Sequence, residues 1–205
     1  CFQCEQTAKG TGCTAFGVCG KDPDTAVLQD LLVHATKGIA MYAHRARQLG
    51  AKRRDIDVFV TEALFTTVTN VNFDPASVAG IVRKAAVMKD AAKKLYEDAC
   101  ARAGRQPEKL DGPAAWSPAA TMDDLIRQGE GVSIEAQLEP FGTDAGALME
   151  LVVYGLKGTA AYADHALVLG REDDGVYAFF HEALDFLTRP AIKVDELLGM
   201  VLRCG

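Results

Sequence analysis

Four cysteines stand close together at the amino-terminal end of this 205-residue chain: Cys1, Cys4, Cys13 and Cys19. Their spacing is C-x2-C-x8-C-x5-C, and a C-x2-C pair commonly supplies two ligands to a tetrahedral metal centre. Glycines among them let the chain turn tightly and direct backbone N–H groups towards sulfur. The segment therefore predicts a metal site with four thiolate ligands.

Three kinds of site remain open from the spacing alone. Structural zinc usually adds a second C-x2-C or two histidines, and the x5 gap between Cys13 and Cys19 does not match that pattern. Two disulfides would require an oxidising compartment, which we do not expect because no secretory leader pattern opens the sequence. An iron–sulfur cluster needs four cysteines and accepts variable loops, so the segment favours a cluster.

No other group of residues suggests catalysis, and we predict no catalytic residue in this sequence. A Glu-x-x-His pair, an H-E-x-x-H motif and a Gly-rich phosphate loop are all absent from it. We expect Cys100 and Cys204 to behave as small apolar residues. We expect the histidines to lie at helix caps or on the surface: His34, His44, His165 and His181.

The composition limits the class of protein. Hydrophobic residues make up 49% of the chain and charged residues 24%, which is typical of a folded globular domain. The net charge of −6 argues against nucleic acid or an anionic membrane as a partner. The longest apolar stretch, residues 31–43, is interrupted by polar side chains, so we expect no membrane span. We expect a cytoplasmic protein.

Beyond the cysteines the pattern is helical and duplicated. Asp22-Pro23 and Asp74-Pro75 each match an N-cap followed by proline at the first helical position. Residues 31–50 align without gaps with residues 151–170, and ten of the twenty positions are identical. The duplication predicts an all-α fold, namely a duplicated pair of three-helix bundles preceded by an N-terminal cysteine-rich, cluster-binding loop.

We predict a single helical domain over residues 1–205. Glycine recurs in mid-helix at Gly38 and Gly158, where it costs about 1 kcal/mol relative to alanine, so we expect a neighbouring helix to approach closely at both. The Pro-rich connector with Trp116 is expected to be exposed. The parts of the domain are an iron–sulfur loop (1–21), a first helical unit (22–104), the connector (105–142) and a second helical unit (143–205).

Taken together, the cysteine segment and the helices resemble the hybrid cluster protein (prismane) family, which is related to the carbon monoxide dehydrogenases. The resemblance covers essentially the whole chain and is carried by CFQCEQT, GVCGKDPDTAVLQD, TKGIA, LFTTVTNVNFD and GLKGTAAYADHALVLG. It implies that the ligands of a [4Fe–4S] cluster, rather than a [2Fe–2S] cluster, are Cys1, Cys4, Cys13 and Cys19.

The resemblance also implies an activity and partners. Members of the family reduce hydroxylamine to ammonia and water, and nitric oxide reduction is proposed for some. Their catalytic hybrid Fe–S–O cluster is held by later α/β domains, and we do not expect these 205 residues to hold it. We therefore expect an electron-transfer domain of a hydroxylamine reductase, separated from its C-terminal α/β domains and served by a small redox donor protein. The alternative is a zinc-stabilised or metal-free helical module for interaction or dimerisation, without redox function.

Overall fold

The computed structural model describes residues 1–4 and 12–205 of the chain. These residues form α-helices and one short 3₁₀ turn but no strand, which confirms the predicted all-α class. None of their helices combines the length and hydropathy that a membrane-spanning segment needs. In chain order they are α1 (Pro23–Gln48), α2 (Arg54–Thr66), α3 (Pro75–Arg102), the 3₁₀ turn (Gly112–Ala115), α4 (Met122–Glu130), α5 (Ile134–Val168), α6 (Asp174–Phe186) and α7 (Val194–Cys204).

The helix boundaries follow the capping signals in the sequence. The side chain of Asp22 accepts a hydrogen bond from the Thr25 N–H, and proline follows Asp22 at the start of α1, as predicted. Helix α1 is followed by Gly50 and its counterpart α5 by Gly170, with φ angles of 75° and 70°. Glycine adopts this left-handed conformation without strain, so both helices stop at equivalent positions.

Helix packing follows the duplication but exchanges one helix between the two units. At the 120-residue offset, α5, α6 and α7 are the counterparts of α1, α2 and α3. Helix α1 packs mainly along α3 and α6, while α5 packs mainly along α7 and α2. Contacts within a unit, between α1 and α2 or between α5 and α6, are less extensive. Each three-helix group is therefore completed by the second helix of the other unit.

A single hydrophobic core joins the two units. Leu32 and Ile39 of α1 are fully buried together with Phe180 and Leu184 of α6, and all four belong to one continuous cluster. Helix α5 adds Leu156 to the same cluster. Burying a side chain of this size contributes about 1.5–3 kcal/mol, so the contact between the units contributes substantially to the stability of the fold.

The loops that follow α1 and α5 differ in charge, and the diverged residues pair with each other. Residues 52–54 are basic, whereas their counterparts at the 120-residue offset are acidic. Lys52 Nζ lies 3.0 Å from Asp174 Oδ2, and Arg54 Nη2 lies 2.9 Å from Glu172 Oε1. These pairs are exposed and each contributes little. The pairs matter because the two equivalent loops lie against each other, and identical charges on both loops would repel.

The connector covers α1 instead of lying fully exposed as predicted. Its Ala114 is 2% exposed, and the carbonyl oxygen of Ala114 lies 3.5 Å from the Tyr42 hydroxyl that donates to it. A Cβ atom on Gly38 would lie 2.2 Å from the Pro113 carbonyl oxygen. The predicted close approach at Gly38 is therefore present, but the neighbour is connector backbone and not a helix.

At Gly158, the counterpart of Gly38, the predicted close approach is wrong. This glycine is exposed, and a Cβ atom added there would meet no atom within 4 Å. The reason is that the 3₁₀ turn lies over α1, and no described residue takes the corresponding place over α5.

We expect Gly38→Ala to lower the free energy of unfolding by about 1–3 kcal/mol, because the added methyl group overlaps a carbonyl that backbone geometry holds in place. The matched variant Gly158→Ala should raise it, by up to about 1 kcal/mol, through helix propensity alone. Urea denaturation followed by circular dichroism measures both. Equal effects of the two substitutions would contradict the contact between Gly38 and Pro113.

His34 lies under the connector, against Trp116, with ring centroids 6.4 Å apart in an edge-to-face arrangement. Burial, together with a smaller effect of repulsion from Lys37, lowers the pKa of His34 from 6.5 to about 4. The folded protein thus keeps His34 neutral at pH values where the unfolded chain protonates it.

We expect the free energy of unfolding to fall as the pH drops from 6.5 towards 4, since over this range the unfolded state binds a proton at His34 that the folded state does not. In His34→Gln the loss over the same pH range should be smaller. Thermal or urea denaturation of both proteins across this range is the measurement. An unchanged pH dependence in the variant would argue against a buried neutral histidine.

Candidate functional site

The cysteine loop (residues 1–21, described at 1–4 and 12–21) is closed by backbone hydrogen bonds between its first and third cysteines. The Cys13 N–H donates to the Cys1 carbonyl oxygen at 3.0 Å, and the amino group of Cys1 donates to the Cys13 carbonyl oxygen. At Gly12 the φ angle is +80°, and a Cβ atom would lie 2.6 Å from the Phe2 ring. Glycine at this position therefore permits both the turn and the packing of Phe2.

A second turn carries Cys19. The Gly17 N–H donates to the Lys21 carbonyl oxygen at 2.7 Å, and the Gly20 N–H donates to the Gly17 carbonyl oxygen at 2.8 Å. A Cβ atom on Gly17 would lie 3.0 Å from Cys19 Sγ. The absence of a side chain at Gly17 thus lets the sulfur lie against the backbone.

The four predicted ligands differ in exposure. Cys13 is buried, Cys1 and Cys4 are half-buried, and Cys19 is exposed. Over residues 1–4 and 12–205, no three His, Cys, Asp or Glu side chains lie close enough together to hold one metal ion. The structure places the four cysteines on one loop, and their role as ligands stays a prediction.

A chain of buried polar groups lies beneath the loop, and the sequence analysis missed it. Lys21 is 2% exposed, and its Nζ donates to Gln3 Oε1 at 2.8 Å and to Gln29 Oε1 at 2.5 Å. Gln3 Nε2 in turn donates to Asp30 Oδ1 and to the Ala26 carbonyl oxygen, both at 2.7 Å. The only sequence signal is the pair of polar residues at 29–30 within the otherwise apolar start of α1.

Buried charges of α5 extend this chain. The second oxygen of Asp30 accepts the Ile134 N–H at 3.4 Å. Burial raises the pKa of Asp30, and attraction to Lys157 opposes that shift. Burial lowers the pKa of Lys157, against attraction to Asp30 and Glu150. These groups balance one another's charge at a distance, since no ion pair within 4 Å joins them in the described ranges.

A cavity of about 500 Å³ lies beside Cys4, between the loop and α5. Phe2 and Gln3 form its loop side, and Glu150 and Lys157 supply charged groups on its α5 side. The remaining wall is mostly apolar and includes Ile134, Leu138, Ala147, Leu151 and Val153. The cavity gives Cys4 an apolar surrounding on this side, which strengthens electrostatic interactions there.

The large apolar side chains of the cysteine loop differ in burial. Phe16 is 68% exposed and Val18 is 67% exposed. Phe2, in contrast, packs inward, against Gly12 and into the cavity beside α5.

The prediction that histidines lie at caps or on the surface is wrong for His181. Its ring is fully buried, and Nε2 lies 2.8 Å from Asp57 Oδ1. Burial lowers the pKa of His181, and the hydrogen bond to Asp57 opposes that shift. Arg47 Nη2 holds the other oxygen of Asp57 at 2.7 Å. This cluster connects α2 with α6. The repeat gave no indication of it, because the residue equivalent to His181 in the first unit is Thr61.

The sequence matches known proteins over its whole length. The family model described as Prismane/CO dehydrogenase family matches residues 1–205. The chain is 50% identical over 205 residues to a hydroxylamine reductase of Rhodospirillum rubrum and 48% identical over 209 aligned residues to one of Geobacter sulfurreducens. It is 42% identical over 205 residues to a hydroxylamine reductase of Methanocella arvoryzae.

These relatives are much longer than the present sequence. Each alignment includes 100% of this chain but only 37% of the relative. The chain therefore corresponds to a little over one third of the relatives it matches.

A double-mutant cycle tests the charge balance beneath the loop. Asp30→Asn and Lys157→Met should each lower the free energy of unfolding, because each leaves an opposite buried charge less compensated. The double variant should lose less than the sum, with a coupling of about 0.5–3 kcal/mol.

The exposed pair of Lys93 and Glu97, whose Nζ and Oε1 lie 3.9 Å apart, is the matched control. Its cycle should give a coupling of only about 0.3–0.5 kcal/mol. If urea denaturation gives no larger coupling for Asp30 and Lys157 than for this control, the two buried groups do not compensate each other.

Proposed function

Because the chain belongs to the Prismane/CO dehydrogenase family, we propose that its cysteine loop holds a [4Fe–4S] cluster and forms the electron-transfer part of a hydroxylamine reductase. The observation that supports this most is that four cysteines lie within residues 1–19, the first and third joined by backbone hydrogen bonds, in a chain 50% identical to a named hydroxylamine reductase. When bound, such a cluster supplies one-electron transfer.

The chemistry of the loop fits this group. Cys1, Cys4, Cys13 and Cys19 supply the four thiolate donors that an iron–sulfur cluster needs. Because Gly17 has no side chain, its backbone can lie next to the Cys19 sulfur. Lys21, two residues after Cys19, places a buried amine beneath the loop, which suits a site that gathers negative charge.

The roles of the chain's residues follow from this assignment. The exposed side of the loop at Cys19 is where a small redox donor protein would dock, and the buried side rests on α1 and α5. Reduction of hydroxylamine to ammonia and water, or of nitric oxide, would take place in the further part of the longer enzyme. The cytoplasm, where thiols stay reduced, suits such a ligand set.

The first test is the iron and acid-labile sulfide content of the anaerobically purified chain, together with its absorption spectrum. We expect iron and sulfide in the ratio of a cubane cluster, and loss of both in Cys4→Ala. Cys100→Ala, which changes a cysteine buried in the helical core, should keep the cluster. Circular dichroism should show retained helices in both variants, because the core lies in α1–α7.

Two results would overturn the proposal. A colourless protein that binds zinc in a one-to-one ratio would favour the zinc-stabilised interaction module. Sustained ammonia production from hydroxylamine by these 205 residues alone would contradict an electron-transfer role without an active site.

A further inference from the structure

We propose that Lys21 is a built-in counter-charge for the cysteine loop and sets the reduction potential of the cluster held there. The inference rests on the proposed function and deepens it, because it assigns a positioning and tuning role to a residue that is not a ligand. It is carried by the burial of Lys21, by its hydrogen bonds and by its place next to Cys19 in the turn.

The backbone brings Lys21 to the cysteines. Its carbonyl oxygen accepts the Gly17 N–H at 2.7 Å, which folds the chain back around Cys19. A Cβ atom on Gly17 would lie 3.0 Å from the Cys19 sulfur and 3.5 Å from the Lys21 Cβ, so the sulfur and the lysine stem border the same small space. The side chain then runs inward and is 2% exposed.

Neutral groups hold the buried amine. Nζ donates to the amide oxygens of Gln3 and Gln29, at 2.8 Å and 2.5 Å. In the part of the chain that the structure describes, no carboxylate lies within 4 Å of Nζ. The charge of Lys21 is thus oriented by hydrogen bonds but not cancelled by an ion pair there.

The geometry places this amine beside the predicted ligands. Gln3, which accepts a hydrogen bond from Nζ, directly precedes Cys4, and the backbone of Lys21 closes the turn that carries Cys19. Both cysteines are predicted ligands. Since an iron–sulfur site becomes more negative on reduction, a fixed positive charge beside it stabilises the reduced form more than the oxidised form. Lys21 should therefore make the reduction potential less negative.

A purely structural lysine is also present and supplies the comparison. Lys89 is 7% exposed, and its Nζ donates to the Trp116 carbonyl oxygen at 2.5 Å. Like Lys21, it is a buried lysine that donates to a neutral oxygen, but Asp90 Oδ1 also lies 3.9 Å from its Nζ, and it lies on α3 against the connector. Replacing Lys89 should cost stability without changing the potential of a site in the cysteine loop.

The test is the midpoint potential of the cluster in the purified, anaerobically reconstituted chain, measured by redox titration with absorption and electron paramagnetic resonance. Lys21→Met should shift the potential to more negative values, Lys21→Arg should shift it less, and Lys89→Met should leave it unchanged. An unshifted potential in Lys21→Met, with the cluster intact, would overturn the inference.

A second pair of variants decides the question if Lys21→Met holds no cluster. Lys21→Gln keeps a hydrogen-bonding side chain towards Gln3 and Gln29 without the charge, whereas Lys21→Arg keeps the charge. The potential should be more negative in Lys21→Gln than in Lys21→Arg. Equal potentials in these two variants would overturn the inference. Absence of iron and sulfide from the unsubstituted chain would instead refute the proposed function itself.

Discussion

The side-chain amide of Gln3 is the contact on which the attachment of the cysteine loop to the helices depends. Its oxygen accepts from Lys21 and its nitrogen donates to Asp30 and to the Ala26 carbonyl oxygen, so one residue joins both ends of the loop to α1. Asp30 then connects to the start of α5 through the Ile134 N–H. Since each of these groups is removed from water, losing one partner leaves another unsatisfied, and the loop and both helical units are coupled energetically.

The duplicated helices meet under a constraint that explains where their sequences diverged. Two equivalent loops face each other after α1 and α5, and identical charged residues there would repel. One loop is basic and the other acidic, so Arg54 faces Glu172 and Lys52 faces Asp174. In the interior the repeat is kept even at Lys37 and Lys157, which are both buried, and attraction to Asp30 and Glu150 offsets the repulsion between them. Symmetric packing preserved the repeat inside, while charge complementarity broke it at the loops.

Local signals were sufficient to predict the helices, because capping aspartates, the prolines that follow them and terminal glycines act within a few residues. The repeat also identified equivalent helices. Neither signal contains information on which helix crosses to which partner, so the exchange of α2 and α6 and the covering of Gly38 by Pro113 could not be predicted. The spacing of the cysteines was enough to predict a site. Gln3 and Lys21, however, are common polar residues, and their role becomes visible only in the folded structure, where Gln3 contacts both Lys21 and Asp30.

The exchange of second helices has a consequence for the order of folding. The face of α1 that packs on α6 meets its partner across more than one hundred residues of sequence, so neither three-helix group can close before α6 has been made. During translation the apolar side of α1 stays without α6 until residue 186 has left the ribosome. The two three-helix groups are therefore expected to close together once α6 and α7 have been made, and before that stage the face of α1 that packs on α6 is exposed.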